Sequence, residues 1–306
     1  MNFIWKFFPA SMVCFVLLTS IHVAYGQGQL KKDIVEAIHS IKADVGVAIQ
    51  QLESGDTLSI NGLQQFPMQS VYKFHLALAV LHAVDRGKLS LNNEIFISKS
   101  DFILNTWSPI AEKYPQGDVK LTIKQLLSYT VSQSDNNGCD ILFRTVGGPQ
   151  KVHDYIKSLG LTEVAIANTE AEMHQNPELQ FKNWTTPRAM VQLLSLFYQG
   201  KILAPPTHKL LVEIMEQTIT GNKRIKGLLP QGTIVAHRTG MSGQNDDGVR
   251  AALNDVGIIS LPNGKHVAIA LFISNTKESI PASEALMARI SKLTFDCYSN
   301  NAGDKK

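Results

Sequence analysis

Residues 255–274 read DVGIISLPNGKHVAIALFIS, with two apolar runs on either side of Asn263-Gly264. An Asn-Gly pair between β-branched runs is one of the strongest short-range signals for a hairpin. The segment VGVAIQQL at Val45–Leu52 is also β-branched, and Gly55-Asp56 turns it into a second run at Thr57–Ile60. Because most of the sequence between these segments has a helical period, we predict an α/β (α+β) fold. Its first and last strands share one antiparallel sheet flanked by helices, with an inserted all-helical lobe.

The helical segments delimit the two lobes. The longest helical period spans about Val71–Arg86, and Gly87 ends it. The sheet lobe is expected at 27–66 and 217–306, and the all-helical lobe at 67–216. Further helices are predicted at Leu30–Lys42, Thr122–Val131, Cys139–Val146, Pro149–Gly160, Thr186–Gly200 and Ser283–Tyr298.

Residues 1–26 have the layout of a secretory signal. They carry one charge, Lys6, followed by an apolar run around Met12–Leu18, and they end in the small-residue pattern Ala24-Tyr25-Gly26. The run is too short and too interrupted for a membrane anchor. We therefore expect cleavage of residues 1–26, no stable membrane anchor, and a mature protein in the periplasm.

Composition excludes several classes of protein. The chain of 306 residues is 44% hydrophobic and 18% charged, as globular proteins are. Its net charge of +3 is not gathered into blocks, so no nucleic-acid partner is expected. The nine histidines are scattered without the spacing of a zinc site, so no metal and no cofactor is expected. Cys139 and Cys297 lie in apolar surroundings, which favours two buried free thiols over one disulfide.

Ser70-Val-Tyr-Lys73 opens the longest predicted helix. A serine and a lysine three positions apart share a helix face, so the lysine can act as the base that a nucleophilic serine needs. The spacing alone is weak, because Ser274-Asn-Thr-Lys277 repeats it after a predicted strand with nothing catalytic beyond it.

Two further motifs follow Ser70 in the sequence. Ser134-Asp135-Asn136 lies between two predicted helices, where its side chains either point into a cleft or simply cap the second helix. Arg238-Thr239-Gly240 follows the strand-like segment GTIVAH at 232–237.

Ser-x-x-Lys, Ser-Asp-Asn and (Lys/Arg)-Thr-Gly in this order form a known set. With them the mature chain resembles a class A serine β-lactamase over essentially its whole length, and most closely the extended-spectrum PER/VEB/TLA branch. The segments that carry the resemblance are FPMQSVYKFHLALAVL (66–81), NTWSPI (105–110), VSQSDNNGCDILF (131–143), AEMH (171–174) with NW (183–184), NKRIKGLLP (222–230) and ALNDVGIISLPNG (252–264).

The resemblance implies a set of catalytic roles. Ser70 is the nucleophile, and its proton goes either to Lys73 or through a water to Glu170, two alternatives that stay open. Ser134 relays a proton to the leaving nitrogen. The backbone N–H groups of Ser70 and Met241 form the oxyanion hole.

An Ω-loop is expected at about 165–184, because this long polar stretch has no clean periodicity. The resemblance places the deacylating glutamate there as Glu170, with Glu172 as a competitor that faces solvent. His174 replaces the asparagine of many class A enzymes, so the hydrogen bonds within the loop must differ.

The resemblance also implies that HRTGMSG at 237–243 is the substrate-binding strand, and that this strand and its surroundings contact the substrate. Arg238 in place of lysine keeps a cation for the substrate carboxylate, and Met241 in place of threonine loses a hydroxyl but keeps the N–H. Arg224 is a further carboxylate ligand unless it is a surface charge, and Trp107 an aromatic at the cleft mouth unless it packs in the core. The full set of expected substrate contacts is Asn136, Arg238, Thr239, Gly240, Met241, Ser242, Arg224 and Trp107.

The expected function is therefore hydrolysis of penicillins and cephalosporins, including oxyimino types, by a monomeric enzyme that confers antibiotic resistance. The alternative is a penicillin-binding peptidase or a β-lactam sensor domain, which is acylated but releases the product slowly. Glu170 argues against that alternative, and the intact catalytic positions argue against an inactive binding protein.

Overall fold

The computed structural model describes residues 27–300, so the predicted signal at residues 1–26 lies outside the described residues. The strands are β1 (Asp44–Gln51), β2 (Thr57–Ile60), β3 (Phe66–Pro67), β4 (Glu94–Ser98), β5 (Gly117–Thr122), β6 (Val164–Ala165), β7 (Trp184–Thr185), β8 (Val235–Met241), β9 (Leu253–Ser260) and β10 (His266–Ser274). The helices are α1 (27–38), α2 (Tyr72–Asp85), α3 (Pro109–Lys113), α4 (Ile123–Ser132), α5 (Asn136–Val146), α6 (Pro149–Ser158), α7 (Glu170–Gln175), α8 (Pro187–Tyr198), α9 (Pro205–Glu216) and α10 (Ile280–Asn300).

The predicted antiparallel sheet is confirmed. Its strand order is β2-β1-β10-β9-β8, so the first and last strands of the chain are neighbours. Val45 pairs with Ile273 across β1 and β10. The predicted hairpin joins β9 to β10, with a backbone hydrogen bond of 2.8 Å from Leu261 N to the carbonyl of Lys265 and with Gly264 at a φ of 78°.

The two faces of the sheet belong to two different hydrophobic clusters. On β10, the side chains of Ala268, Ala270 and Phe272 pack in the cluster that the helical lobe shares. The alternating side chains Ile269 and Leu271 pack with α1 and α10 on the opposite face. Because both faces are covered, the strand is a continuous apolar run rather than an alternating one.

The centre of the helical lobe is α2. A 3-10 turn at Gln69–Val71 precedes it, and the ten residues Tyr72–Leu81 are all buried. A helix that is apolar on every side is a core helix, and the one cation among these ten residues, Lys73, is the exception that needs a partner.

Several predicted boundaries were wrong. β8 contains Arg238-Thr239-Gly240, as expected for a strand at 237–243, but it begins at Val235 rather than at Gly232 and ends at Met241. α1 ends at residue 38, and α10 begins at Ile280. The β4–β5 hairpin and α9 were not predicted.

The Ω-loop has local structure that the sequence pattern did not indicate. Val164 pairs with Thr185 and Ala165 with Trp184, so the short strands β6 and β7 close the loop at its ends. Between them lie α7 and a 3-10 helix at Pro177–Lys182. Each is six residues long, which is too short for a hydrophobic period to emerge.

Cys139 and Cys297 differ in burial. Cys139 is a buried thiol, as predicted, with its Sγ 3.6 Å from the Tyr72 hydroxyl. The predicted burial was wrong for Cys297, which is only partly buried on α10. Among the described residues, none of the helices combines the length and the apolar character that a membrane crossing requires.

Candidate active site

Ser70 lies in the 3-10 turn that leads into α2. The residue before it, Gln69, has a φ of 48°, a left-handed conformation that is costly for a residue with a side chain. Strand β8 lies directly against this turn: a Cβ at Gly240 would be 2.4 Å from the carbonyl oxygen of Met68 and 3.3 Å from Ser70 N. Only glycine therefore allows β8 to approach the serine this closely.

Lys73 brings three of the sequence motifs together. Its side chain is 0% exposed, and its Nζ is 2.9 Å from Glu170 Oε1. The same ammonium donates to the Ser134 carbonyl at 3.0 Å and to Asn136 Oδ1 at 2.5 Å. A buried ammonium is tolerated when it is paired and hydrogen-bonded in this way.

The Ser134-Asp135-Asn136 segment serves both of the roles considered for it. Asp135 is the N-cap of α5 and accepts from Gly138 N at 2.7 Å. Asn136 turns into the cleft instead, where its Nδ2 donates to Thr106 Oγ1 at 2.7 Å while its Oδ1 faces Lys73. Ser134 has a φ of 63°, a second strained position at the site.

Arg238 lies beneath the site with a side chain that is 0% exposed. Its Nε donates to the Ser70 carbonyl at 2.9 Å, and its Nη2 donates to Ser134 Oγ at 2.5 Å. Desolvation by burial lowers the pKa of Arg238 to about 10, so the guanidinium is still charged at neutral pH. The Arg238 guanidinium therefore binds the 3-10 turn that carries Ser70 and the Ser134 hydroxyl at the same time.

Glu170 is the first residue of α7. Thr169 and Glu172 form the capping box of this helix, and Glu172 is exposed, as predicted. His174 is exposed as well. The loop is held from α5 instead, since the two carboxylate oxygens of Asp140 accept from Glu170 N and Ala171 N, each at 2.8 Å.

The family model described as "Beta-lactamase enzyme family" matches residues 29–298. The chain belongs to this family. It is a class A serine β-lactamase, and the sequence of the Extended-spectrum beta-lactamase PER-1 of Pseudomonas aeruginosa is 41% identical to it, over 94% of this chain and 92% of PER-1. Beta-lactamase VEB-1 of the same organism is 43% identical, over 91% of this chain and 94% of VEB-1. The crystal structure of the TLA-1 extended spectrum beta-lactamase superimposes with a TM-score of 0.88 at 49% identity, covering 90% of this chain and 99% of that one.

The remaining strand residues of the lactamase differ in exposure. Met241 is 47% exposed at the end of β8, whereas Thr239 is buried with its hydroxyl 2.6 Å from that of Thr220. The Ser242 hydroxyl accepts from the N–H groups of Ala251 and Ala252, each at 3.0 Å. The Ser242 side chain thus holds the connection from β8 to β9.

Arg224 is 5% exposed, so the surface-charge alternative is wrong. Its Nε pairs with Glu284 at 3.1 Å, and its Nη1 donates to the Asn254 carbonyl at 2.9 Å. Its Nη1 also donates to the Gly240 carbonyl at 3.3 Å, and its Nη2 lies 3.7 Å from Met241 Sδ, so Arg224 contacts the last two residues of β8.

Trp107 is 57% exposed, so the core-packing alternative is wrong too. Its Nε1 donates to the Gln133 carbonyl at 2.8 Å, and its own carbonyl accepts from Asn136 N at 3.1 Å. The indole therefore stands at the surface beside the Ser134-Asp135-Asn136 segment.

Sequence reasoning missed three residues that hold the site together: Thr106, Asp140 and Asn183. Asp140 was detectable, because an acid four positions after Asn136 shares its helix face. Burial, with a contribution from the Glu170 charge, raises the pKa of Asp140 to about 6. Asn183 lies in one of the segments that carry the resemblance but follows no helical or strand period, because its side chain binds backbone groups of 167 and 168 and the sulfur of Met173.

Proposed function

We propose that this β-lactamase hydrolyses penicillins and cephalosporins through an acyl-enzyme on Ser70, with Glu170 activating the deacylating water. The observation that carries the proposal is the position of Lys73 Nζ, one helical turn from Ser70 and in contact with Glu170, Ser134 and Asn136. The buried ammonium of Lys73 therefore lies beside Ser134, the proposed proton relay, and beside Glu170, the proposed base for deacylation. It is one helical turn from Ser70, the proposed nucleophile.

In the acylation step, Ser70 Oγ attacks the lactam carbonyl carbon and loses its proton. The acceptor is Lys73, once its ammonium has passed a proton to Glu170 across their 2.9 Å contact, or it is Glu170 through a water. The developing oxyanion accepts from the backbone N–H groups of Ser70 and Met241, and one such donor is worth about 3–4 kcal/mol.

Cleavage of the lactam C–N bond requires a proton on the leaving nitrogen. Ser134 Oγ already accepts a hydrogen bond from Arg238 Nη2. Its own proton therefore remains available for donation, and the guanidinium directs that proton away from itself and toward the cleft. After Ser134 has protonated the nitrogen, its hydroxyl regains through Lys73 the proton that Ser70 lost, so the acylation step leaves no proton over. Arg238 thus orients the proton relay as well as supplying positive potential.

In the deacylation step, Glu170 takes a proton from a water that attacks the ester carbonyl. The ester C–O bond then breaks, the proton returns to Ser70 Oγ, and the ring-opened acid leaves. Asp140 contributes indirectly, because it fixes the backbone of Glu170.

The substrate carboxylate is expected at the Thr239 hydroxyl, with the charges of Arg238 and Arg224 behind it. Asn136 and the backbone at Gly240, Met241 and Ser242 bind the acylamino side chain, and Trp107 lines the mouth. PER-1 and TLA-1 are extended-spectrum enzymes by name, which supports activity on oxyimino-cephalosporins. Turnover of benzylpenicillin without any turnover of cefotaxime would refute that extension.

The catalytic assignment is tested by following intact protein mass after mixing with excess benzylpenicillin. The wild-type enzyme is expected to show a transient adduct, Glu170→Gln a persistent adduct, and Ser70→Ala none. Glu172→Gln is the matched control, because it lies two residues on and Gln also completes a capping box. A persistent adduct on the wild-type enzyme would indicate a penicillin-binding protein, and turnover by Glu170→Gln would refute the role of Glu170.

We also propose that the mature enzyme is a periplasmic monomer that lacks residues 1–26. The small-residue pattern at Ala24-Tyr25-Gly26 supports the cleavage position. A periplasmic extract should contain protein beginning at Gln27 that elutes at the size of a single chain.

A further inference from the structure

The segment before the nucleophile is fixed on its sheet side. Asn254, buried on β9, donates through Nδ2 to the carbonyls of Pro67 and Met68 at 2.9 and 3.1 Å. Arg238 holds the Ser70 carbonyl from the same side. These three bonds explain how the left-handed Gln69 persists, since a strained residue survives where its surroundings over-determine it.

The opposite side of the same segment meets the Ω-loop. Met68 N donates to the Asn183 carbonyl at 2.9 Å, and Gln69 Nε2 donates to Gln180 Oε1 at 2.6 Å. Gln180 lies in the 3-10 helix of the loop. Gln69 therefore combines a left-handed backbone conformation with a side chain that contacts the Ω-loop.

From this contact a continuous set of hydrogen bonds leads to Glu170. Asn183 N donates to the Gln180 carbonyl at 3.3 Å, and the Asn183 side chain binds the backbone of 167 and 168. Residue 168 is two positions before Glu170, whose carboxylate meets Lys73. The loop that carries the deacylating carboxylate is thus tied to the residue next to the nucleophile.

We propose that the side-chain amides of Gln69 and Gln180 form a positioning link that couples the nucleophile turn to the Ω-loop and holds Glu170 in place for deacylation. The proposal rests on the proposed role of Glu170. Because Asn254 and Arg238 fix the nucleophile side independently, loss of the link displaces the loop rather than Ser70. Deacylation is therefore the sensitive step, and acylation is not.

A set of nearly isosteric variants tests this link. Gln69→Glu and Gln180→Glu each leave one amide opposite one carboxylate, so either keeps a donor and an acceptor. The Q69E/Q180E double variant sets two carboxylates against each other, and like charges at hydrogen-bond distance repel. The Q69E/Q180K variant restores attraction with an ion pair.

The readout is the acylation and deacylation rate constants for benzylpenicillin, from rapid-quench mass spectrometry, together with Tm. We expect each single variant to lose less than about threefold in deacylation and Q69E/Q180E at least about tenfold, with acylation much less affected. Q69E/Q180K should recover most of that loss. Gln150→Glu is the matched control, because it sets a new carboxylate against Asp154 on the exposed face of α6.

Several results would overturn the link. A double variant whose deacylation equals the product of the two single effects would show that the amides are not coupled, as would a failure of Q69E/Q180K to recover. A loss confined to acylation would place the effect on Ser70 instead. A Glu170→Gln enzyme that still deacylates would refute the proposed function itself, and this outcome is distinguishable because it does not involve Gln69 or Gln180.

Discussion

Asp140→Asn tests whether a buried carboxylate on α5 places the general base. Both oxygens of Asp140 accept, from Glu170 N and Ala171 N, at 2.8 Å each. Asparagine keeps one acceptor but turns an NH₂ toward the other N–H, so one charge-assisted bond is lost and two donors face each other. A hydrogen bond to a charged group is worth roughly 1.5–3 kcal/mol. If that free energy is expressed in the deacylation transition state, deacylation slows by roughly 10- to 150-fold.

The pH dependence gives the same variant a second readout. Burial raises the pKa of Asp140 from 3.8 to about 6, so between these values the folded protein binds a proton that the unfolded chain does not. Protonation of Asp140 therefore raises the free energy of unfolding as the pH falls through about 6. The neutral carboxyl is nonetheless a weaker acceptor for the two N–H groups. The deacylation rate of the wild-type enzyme should therefore fall as the pH is lowered through about 6, without a loss of Tm. This fall is the acid limb of the pH profile, and the Asp140→Asn enzyme should lack it.

The assay is the fraction of acyl-enzyme at steady state, measured by intact mass between pH 5 and pH 8, with Tm recorded at each pH. Asp154→Asn is the control, because Asp154 is an exposed carboxylate on α6 whose partner is Gln150. A folded Asp140→Asn enzyme with wild-type deacylation and the wild-type acid limb would refute the reasoning.

Three further variants test other contacts. Asn183→Ala should lower the free energy of unfolding by about 2–4 kcal/mol in urea denaturation, because three backbone partners inside the Ω-loop lose their buried side chain; a loss below 0.5 kcal/mol would contradict this. Arg238→Lys should slow acylation by about tenfold, since one ammonium cannot keep the geometry of both the Ser70 and Ser134 bonds; an unchanged acylation rate would show that charge alone suffices. Gly240→Ala should reduce kcat/KM by more than about 100-fold, because its Cβ would meet backbone at 2.4 Å beside Ser70; activity within threefold of wild type would show that β8 can move away.

The pairing of the first and last strands was predictable, because the Asn263-Gly264 turn and the β-branched runs are local signals. Only residues whose type and order carry information, such as Ser70, Lys73 and Ser134, could be proposed as site residues from the sequence, and the structure places Lys73 Nζ 3.0 Å from the Ser134 carbonyl. Two kinds of feature escaped prediction. The complete burial of Arg238 was missed because an arginine is fully buried only where tertiary contacts pair it, and those contacts leave no signal in the local sequence. Asn183 was missed because a side chain that binds backbone leaves no periodic trace.

The burial of Arg238 also explains why this site accepts arginine where the resemblance leads one to expect lysine. A lysine at this position is a single compact charge, whereas the guanidinium has donors on separate nitrogens. Here Nε and Nη2 are each used, on the carbonyl of Ser70 and the hydroxyl of Ser134. In the proposed mechanism, the relative position of these two groups determines whether the Ser134 hydroxyl reaches the leaving nitrogen. Arginine therefore keeps the positive charge and also fixes the position of Ser134 relative to Ser70. Its burial costs desolvation free energy, and this desolvation lowers the pKa of Arg238. Substitution here should consequently change how well the two serines are aligned before it changes how strongly the substrate carboxylate is attracted.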